Sequence, residues 1–190
     1  MNRAIVMLAA LGAVFLTGGN ANAQGYPGDI MSGGPIFFGR GGASPIARQT
    51  VYYSTNYAPG TIVINTAERR LYLVEPGGQA LRYGIGVGRD GFRWSGVHRI
   101  SAKREWPGWT PPAEMRRRRP DLPGHMAGGI ENPLGARALY LGSTLYRIHG
   151  SNEPETIGQA VSSGCFRMTN EDVVDLYNRV SVGATVVVQN

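Results

Sequence analysis

The chain has almost no cysteine: Cys165 is the only one among 190 residues. A single cysteine cannot form a disulfide within the chain, which excludes a fold held together by internal disulfides. The thiol is therefore an intermolecular link, an inert buried side chain or a reactive nucleophile. The sequence around Cys165 is needed to distinguish these three interpretations.

Long hydrophobic runs are also scarce. The longest, "AIVMLAALGAVFL" at residues 4–16, follows Arg3 and is too short to span a bilayer. It precedes Ala21-Asn22-Ala23, a small-x-small sequence typical of signal-peptide cleavage. We predict a signal peptide over residues 1–23 and an exported protein with no membrane span after cleavage; a retained anchor is the alternative. Because exported compartments are oxidising and structural cysteines there come in pairs, the single cysteine stands out.

Lysine is nearly absent, since Lys103 is the only one and arginine supplies the other basic residues of a chain with net charge +6. Such a charge is suited to anionic wall polymers or lipid headgroups. A bias of the genome towards arginine codons explains it equally well. No nucleic-acid motif is present, so we expect no nucleic-acid partner. The run Arg116–Arg119 is interpreted as a solvated surface.

Glycine and proline are abundant and divide the chain. Residues 24–59 are rich in both, which predicts a linker or a loosely ordered extension. Residues 104–136 are also interrupted by both, which excludes a long helix or a central strand there and favours a lid or binding wall. The catalytic domain is expected to occupy residues 60–190.

Most of residues 60–190 has β character. Strands are predicted for the runs "TIVIN", "RRLYLVE", "QALRYGIGVG", "GVHRIS", "ARALYLG", "LYRIHG" and "ATVVVQ". One helix is predicted over residues 169–180, with Thr169 as N-cap and Asp172 completing a capping-box pattern. Its apolar residues recur at helical spacing: Val173, Leu176, Tyr177 and Val180. This pattern predicts an all-β sandwich or barrel-like domain with one short helix.

The single cysteine lies in "IHGSNEPETIGQAVSSGCFRM", residues 148–168. Gly164 permits a tight turn, and the amides of Gly164 and Cys165 can form an oxyanion hole there. Arg167 and the following helix N-terminus favour a thiolate. These features suit a nucleophile, although on their own they leave the three interpretations open.

His149 is the nearest histidine to Cys165 and ends a predicted strand, on the same face as Leu145 and Arg147. Gly150 leaves room above its ring. If the intervening loop folds back, His149 and Cys165 meet as base and nucleophile. On this pattern alone, a structural or exposed histidine remains the alternative.

The residues around this pair carry a family resemblance. "RIHGSNEPETIGQAVSSGCFRM" resembles the catalytic motif of L,D-transpeptidases of the YkuD type, in which a His-Gly pair is followed one loop later by Ser-x-Gly-Cys-x-Arg. The segments "EWPGWTPPAEM" and "NPLGARALYLG" are similar to ones in exported members from Gram-negative bacteria. The resemblance covers residues 60–190.

The resemblance implies a role for each motif residue. Cys165 would be the nucleophile and His149 the general base, with the amides of Gly164 and Cys165 as the oxyanion hole. Arg167 would shape the site or orient a substrate carboxylate. Further site-shaping or substrate-binding positions are Gly150, Ser162 and Ser163.

This sequence departs from the motif at one position. Ser163 stands where many members have histidine, so His149 is the only histidine that the motif offers as a base. His98 and His125 lie outside the motif and are expected to be surface or structural residues. A metal site built from Cys165 and these scattered histidines lacks ligand spacing.

The implied reaction is a double displacement on peptidoglycan in the periplasm, without metal or cofactor. The cysteine would attack a tetrapeptide stem, releasing the terminal D-alanine, and an amine would take the acyl group. The amine would belong to a second stem, giving a 3→3 cross-link, or to a wall-anchored lipoprotein. Alternatives are water as acceptor, making an L,D-carboxypeptidase or amidase, and a non-catalytic wall-binding module.

Overall fold

The computed structural model of the protein describes residues 44–190. The predicted signal peptide and the first part of the predicted linker lie outside the described residues. Within them the backbone forms eleven β-strands and two α-helices, in the order β1 (Gln49–Tyr52), β2 (Ile62–Asn65), β3 (Arg70–Glu75), β4 (Gln79–Gly84), β5 (Val87–Gly88), β6 (Gly96–Glu105), α1 (Ala113–Arg118), β7 (Arg137–Leu141), β8 (Arg147–His149), β9 (Ala160–Ser162), β10 (Phe166–Arg167), α2 (Asn170–Arg179) and β11 (Thr185–Gln189).

Nine of the strands form one curled sheet in the order β1-β4-β3-β2-β11-β6-β7-β8-β10, and β5 pairs with β9 separately. The long strand β6 pairs with β11 through its first half and with β7 through its second, with an irregularity between Ile100 and Ala102. This strand therefore connects the half of the sheet that contains the N-terminal strands to the half that contains β8 and β10.

The core lies inside the curl of the sheet and is closed by α2. It is almost entirely aliphatic and aromatic, and its largest fully buried side chains include Tyr83, Phe166, Ile62, Leu139 and Met168. Strands β2 and β11 run parallel through its centre as the β-branched runs "IVIN" and "TVVVQ". Strands buried on both faces read as continuous hydrophobic runs. These two strands fix the middle of the sheet.

The all-β class with one short helix at residues 169–180 is confirmed. Thr169 Oγ1 accepts from the Asp172 amide at 3.2 Å, as the N-cap prediction requires. The reciprocal half of the capping box is not formed, because the Asp172 carboxylate lies 3.4 Å from the Arg48 guanidinium instead. A second short helix, α1, of 6 residues forms inside residues 104–136, for which only a long helix or a central strand was excluded.

One part of the linker prediction is wrong. Gln49–Tyr52, inside residues 24–59, forms the edge strand β1 and pairs with β4. Ile46 packs just before it, so close that a Cβ on Gly84 would lie 2.5 Å from the Ile46 Cβ. The ordered structure therefore includes residues before 60, although the domain boundary itself stays a prediction.

Within residues 44–190 no helix combines the length and the hydrophobicity that a bilayer span requires.

Candidate active site

The predicted nucleophile and base lie on neighbouring strands. Strands β8 and β10 are parallel, with Phe166 opposite Ile148 and Arg167 opposite His149. Ile148 and Phe166 are buried in the core. Because side chains alternate along a strand, His149 and Arg167 face the other side of the sheet, and Cys165, two residues before Arg167, shares that face. The fold thus brings Cys165 and His149 together on one surface.

His149 is held as a neutral imidazole with one nitrogen available. Its Nδ1 lies 2.6 Å from the carbonyl oxygen of Gly150, which only accepts, so Nδ1 carries the proton and Nε2 keeps its lone pair. The residue is 5% exposed. Burial lowers its pKa to about 3, and the charges of Arg167 and Arg147 act in the same direction. The imidazole is therefore unprotonated at Nε2 throughout the neutral range.

Cys165 is half-buried and unpaired. Its Sγ lies 3.8 Å from the carbonyl oxygen of Leu145, at the start of the face that leads to His149. Burial raises the pKa of the thiol, while the positive charges of Arg147 and Arg167 act against that rise. The resting pair is therefore a neutral thiol beside a neutral imidazole, and nucleophilic attack has to be coupled to proton transfer.

Ser162 builds the turn before the nucleophile. Its Oγ donates to the carbonyl of Cys165 at 2.6 Å and accepts from the amide of Gly164 at 3.2 Å. The Gly164 amide, expected to serve the oxyanion hole, is thus engaged within the loop. Ser163 is half-buried and forms no side-chain hydrogen bond in the described part of the chain.

Gly164 is required by its backbone and by its neighbours. Its φ of +105° is in the region that favours glycine, and a Cβ there would lie 2.6 Å from the Tyr146 ring. The Tyr146 ring stacks on Trp94 at 4.4 Å between centroids. Trp94 Nε1 donates to the Gly164 carbonyl at 2.8 Å. The two aromatic side chains therefore fix the turn that presents Cys165.

Arg167 fastens the loop between β8 and β10. Its guanidinium lies 2.8 Å from the Glu153 carboxylate, and its backbone pairs with Gly86 in both directions. The motif suggested two roles for Arg167, shaping the site or orienting a substrate carboxylate, and this arrangement fits the first. A substrate carboxylate at this guanidinium would compete with Glu153.

Glycine is needed at position 150 for a different reason from the one that we expected. A Cβ on Gly150 would collide with the side-chain oxygen of Asn170 and lie 3.0 Å from the Ala136 amide. That oxygen accepts a hydrogen bond from the same amide at 2.8 Å. The glycine lets α2, β7 and β8 approach closely behind His149, rather than making room above the ring.

Contacts within residues 106–135 order this loop, and one of its residues reaches Phe92. Trp109 and Met126 pair as an antiparallel bridge, and the buried Asn132 donates to the carbonyls of Pro107 and Ala127. The Arg118 guanidinium at the end of α1 lies 5.5 Å from the centroid of the Phe92 ring.

Phe92 joins this loop to the nucleophile turn. Its carbonyl oxygen would lie 3.4 Å from a Cβ on Gly164. The loop that the sequence marked as a lid or binding wall is thus connected to the Gly164 turn through Phe92, and Arg116–Arg119 are exposed as expected.

The remaining histidines lie outside this arrangement. His98 packs edge-on against Trp94 at 5.2 Å, and the exposed His125 lies 3.0 Å from Thr110 Oγ1. Among residues 44–190 no group of three or more His, Cys, Asp or Glu side chains is arranged to hold a metal ion.

Two residues at the site were not singled out as functional from the sequence. Trp94 gives no local signal, since its contact with Gly164 joins residues 70 positions apart. The position of Arg147 at the site could have been inferred from the sequence, because it lies two residues before His149 in β8 and alternation places both side chains on one face.

Known proteins share this arrangement of sequence and fold. A model of the family "YkuD: L,D-transpeptidase catalytic domain" matches residues 59–188. The chain is 36% identical over 163 residues to the Escherichia coli K12 protein named "Probable L,D-transpeptidase ErfK/SrfK", covering 81% of this chain and 51% of that protein. The chain thus spans about half the length of this curated relative.

Solved structures agree in fold. A Brucella melitensis protein titled "Probable carnitine operon oxidoreductase caia" is 52% identical, with a TM-score of 0.52 over 75% of this chain and 93% of that one. An L,D-transpeptidase from Mycobacterium smegmatis matches with a TM-score of 0.52 at 18% identity, over 68% of this chain and 58% of that one, which shows the fold alone. With residues 59–188 matched by its model, the chain belongs to the YkuD family of L,D-transpeptidase catalytic domains.

Proposed function

We propose that the protein is a peptidoglycan L,D-transpeptidase that forms an acyl-enzyme on Cys165. The observation that carries this proposal is the common face of β8 and β10, on which Cys165 and His149 lie together. The neutral imidazole, with Nδ1 bonded to Gly150, leaves Nε2 ready to receive the thiol proton. The donor would be the tetrapeptide stem that the family resemblance implies.

In the first half-reaction Sγ attacks the carbonyl between the L- and D-centred residues of the stem, and its proton passes to His149 Nε2. The new S–C bond forms as the C–N bond breaks, and the departing D-alanine amine takes the proton from the imidazolium. In the second half an acceptor amine attacks the thioester and loses a proton through His149. Its N–C bond replaces the S–C bond, and Cys165 is regenerated.

The negative oxygen of each tetrahedral intermediate needs backbone donors. Because the Gly164 amide donates to Ser162 Oγ, we assign the main donor to the amide of Cys165. Gly164 joins it only if the turn shifts when substrate binds. The Trp94 contact with the Gly164 carbonyl limits that shift.

The acceptor is assigned to an amine, either on a second stem or on a wall-anchored lipoprotein. This assignment follows the family resemblance; a loop that closed over the thioester would favour transfer by excluding water. Water as acceptor is the second candidate, and would make the protein an L,D-carboxypeptidase or an amidase.

The experiment is product analysis with purified protein and tetrapeptide muropeptides. Cross-linked dimers identify a transferase, and tripeptide alone identifies a hydrolase. With C165A neither product should form. Products that persist in C165A would overturn the cysteine mechanism.

The site of action follows as part of the same proposal. An exported protein in the periplasm, carrying net charge +5 once residues 1–23 and with them Arg3 are removed (+6 minus 1), is placed at the anionic wall polymer that supplies its substrate. Separating wall, periplasm and membrane from cells that produce the full chain tests this, since recovery in the cytoplasm would contradict it.

A further inference from the structure

Arg147 lies beside the nucleophile. In the parallel pairing of β8 with β10, Ile148 is level with Phe166, so Arg147, one residue earlier, is level with Cys165. The charge of Arg147 and hydrogen bonding from its backbone and side chain all lower the pKa of the Cys165 thiol. The register and this effect on the thiol together place Arg147 beside Cys165.

The Arg147 side chain is fixed in this position. Its guanidinium carbon lies 5.1 Å from the centroid of the Tyr140 ring. Its Nε is buried and without a hydrogen-bond partner in the described part of the chain. A cation stacked on an aromatic face, between two neighbouring strands, has little freedom to leave the nucleophile.

Within residues 44–190 no carboxylate forms an ion pair with Arg147. Among the ion pairs of residues 44–190, Arg167 is paired with Glu153 and the buried Arg137 with Glu105, but none involves Arg147. An unpaired cation in a partly buried position is costly unless it meets negative charge at some stage. Cys165, level with Arg147 on this face, is the group that develops negative charge in the proposed reaction.

We propose that Arg147 is a further catalytic residue, which stabilises the negative charge on the Cys165 sulfur as the thiol proton moves to His149. The inference rests on the proposed cysteine mechanism. The same contact acts again in the second half-reaction, when the S–C bond breaks and the electron pair returns to sulfur. No proton is exchanged with Arg147 at either step, so the balance of the reaction is unchanged.

Burial and charge act on the thiol in opposite directions. Burial raises the pKa of Cys165, and the charge and hydrogen bonds of Arg147 oppose that rise before Arg167 does. A nearby opposite charge lowers the pKa of an acidic group by about 1–3 units. Removing the charge at Arg147 should therefore leave a thiol that ionises at markedly higher pH.

The test is the alkylation of the purified full chain by iodoacetamide as a function of pH. Because Cys165 is the only cysteine, the reaction reports on this thiol alone. We expect R147Q to move the apparent pKa of alkylation upward by about 1 unit or more, which slows the reaction about 10-fold near pH 7. R147K keeps the charge on a shorter and less directional group, so its apparent pKa of alkylation should lie between those of R147Q and the wild type.

The chain offers a matched control in Arg82. It too is a half-buried strand arginine with a buried, unpartnered Nε and no ion pair among the described residues, but it lies in β4. R82Q should alkylate with the wild-type pH profile. If R147Q fails to fold by circular dichroism, R147M replaces it, because methionine keeps an unbranched apolar stem.

Identical pH profiles for R147Q, R82Q and the wild type would overturn the proposal, as would equal shifts in R147Q and R147K. With muropeptide donor, the neutral variant should lower kcat about 10-fold or more while KM changes little, since the contact strengthens only as charge develops. Alkylation needs no substrate. A protein that turns over no muropeptide but shows the predicted shift therefore refutes the proposed function and leaves the role of Arg147 standing.

Discussion

Replacing Ser162 with alanine tests whether one hydroxyl builds the turn that presents the nucleophile. Its Oγ joins the Cys165 carbonyl at 2.6 Å to the Gly164 amide at 3.2 Å, and both Ser162 and Gly164 are buried. Alanine leaves both backbone groups without this partner. Since an unsatisfied buried polar group costs about 1–3 kcal/mol, we expect S162A to lower the free energy of unfolding by about 2–4 kcal/mol.

The same substitution should slow the chemistry. With its tie to Ser162 lost, the Cys165 backbone is free to move relative to His149, and a displacement of about 1 Å in a reacting group costs about 100-fold in rate. Urea denaturation measures the stability, and the rate of acylation by a tetrapeptide donor measures the chemistry. The two effects should appear together.

Ser163 supplies the control for this experiment. It carries the same side chain one residue later and forms no side-chain hydrogen bond in the described structure. S163A should change the free energy of unfolding by less than about 0.5 kcal/mol. If S162A and S163A behave alike in both assays, the assignment of the turn to the Ser162 hydroxyl is wrong.

Three further substitutions test the loop of residues 106–135, the buried imidazole and the N-terminal segment. G128A drives a methyl group into the Trp106 carbonyl and should lower the free energy of unfolding, measured by urea denaturation, by about 2 kcal/mol or more. G129A has open space around its Cβ and should change that free energy by less than about 0.5 kcal/mol. Equal effects of the two variants would contradict the packing. Burial lowers the pKa of His149 to about 3 in the folded protein. As the pH falls from 7 to 5, the imidazole therefore takes up a proton in the unfolded chain but not in the folded protein. The free energy of unfolding should fall by about 2 kcal/mol over this range. H149Q should lose that part of the pH dependence, and an unchanged slope would count against a buried neutral imidazole. R48A removes the cation 3.4 Å from two carboxylates of α2 and should cost about 1–2 kcal/mol in thermal unfolding at pH 7; an unaltered melting temperature would show that the segment before residue 60 adds no stability through this contact.

The central strands could be predicted because their side chains alone determine them. "IVIN" and "TVVVQ" are buried and β-branched, so the sequence carries their structure directly. The edge strand Gln49–Tyr52 lacks that signal, since only Val51 is half-buried and its pairing depends on β4. Edge strands are stabilised by a neighbour that the local sequence does not contain.

The placement of the proposed nucleophile and base on one strand and one turn could be predicted once the family motif was recognised. His149 ends β8, and Gly164 marks the turn before Cys165. The surrounding contacts were not predictable, since Trp94 reaches Gly164 across the fold and the hydroxyl of Ser162 engages the Gly164 amide. Glycine spacing predicts that a tight turn exists, but not which partners its backbone groups choose.

The most direct test of the account is the intact mass of the protein during turnover. The purified chain is mixed with tetrapeptide donor, quenched in acid and weighed by mass spectrometry. We expect one adduct with the mass of the donor acyl group after loss of D-alanine, present in the wild type and absent in C165A. An adduct that persists in C165A, or donor that is consumed by an enzyme whose mass never changes, would contradict the Cys165 acyl-enzyme.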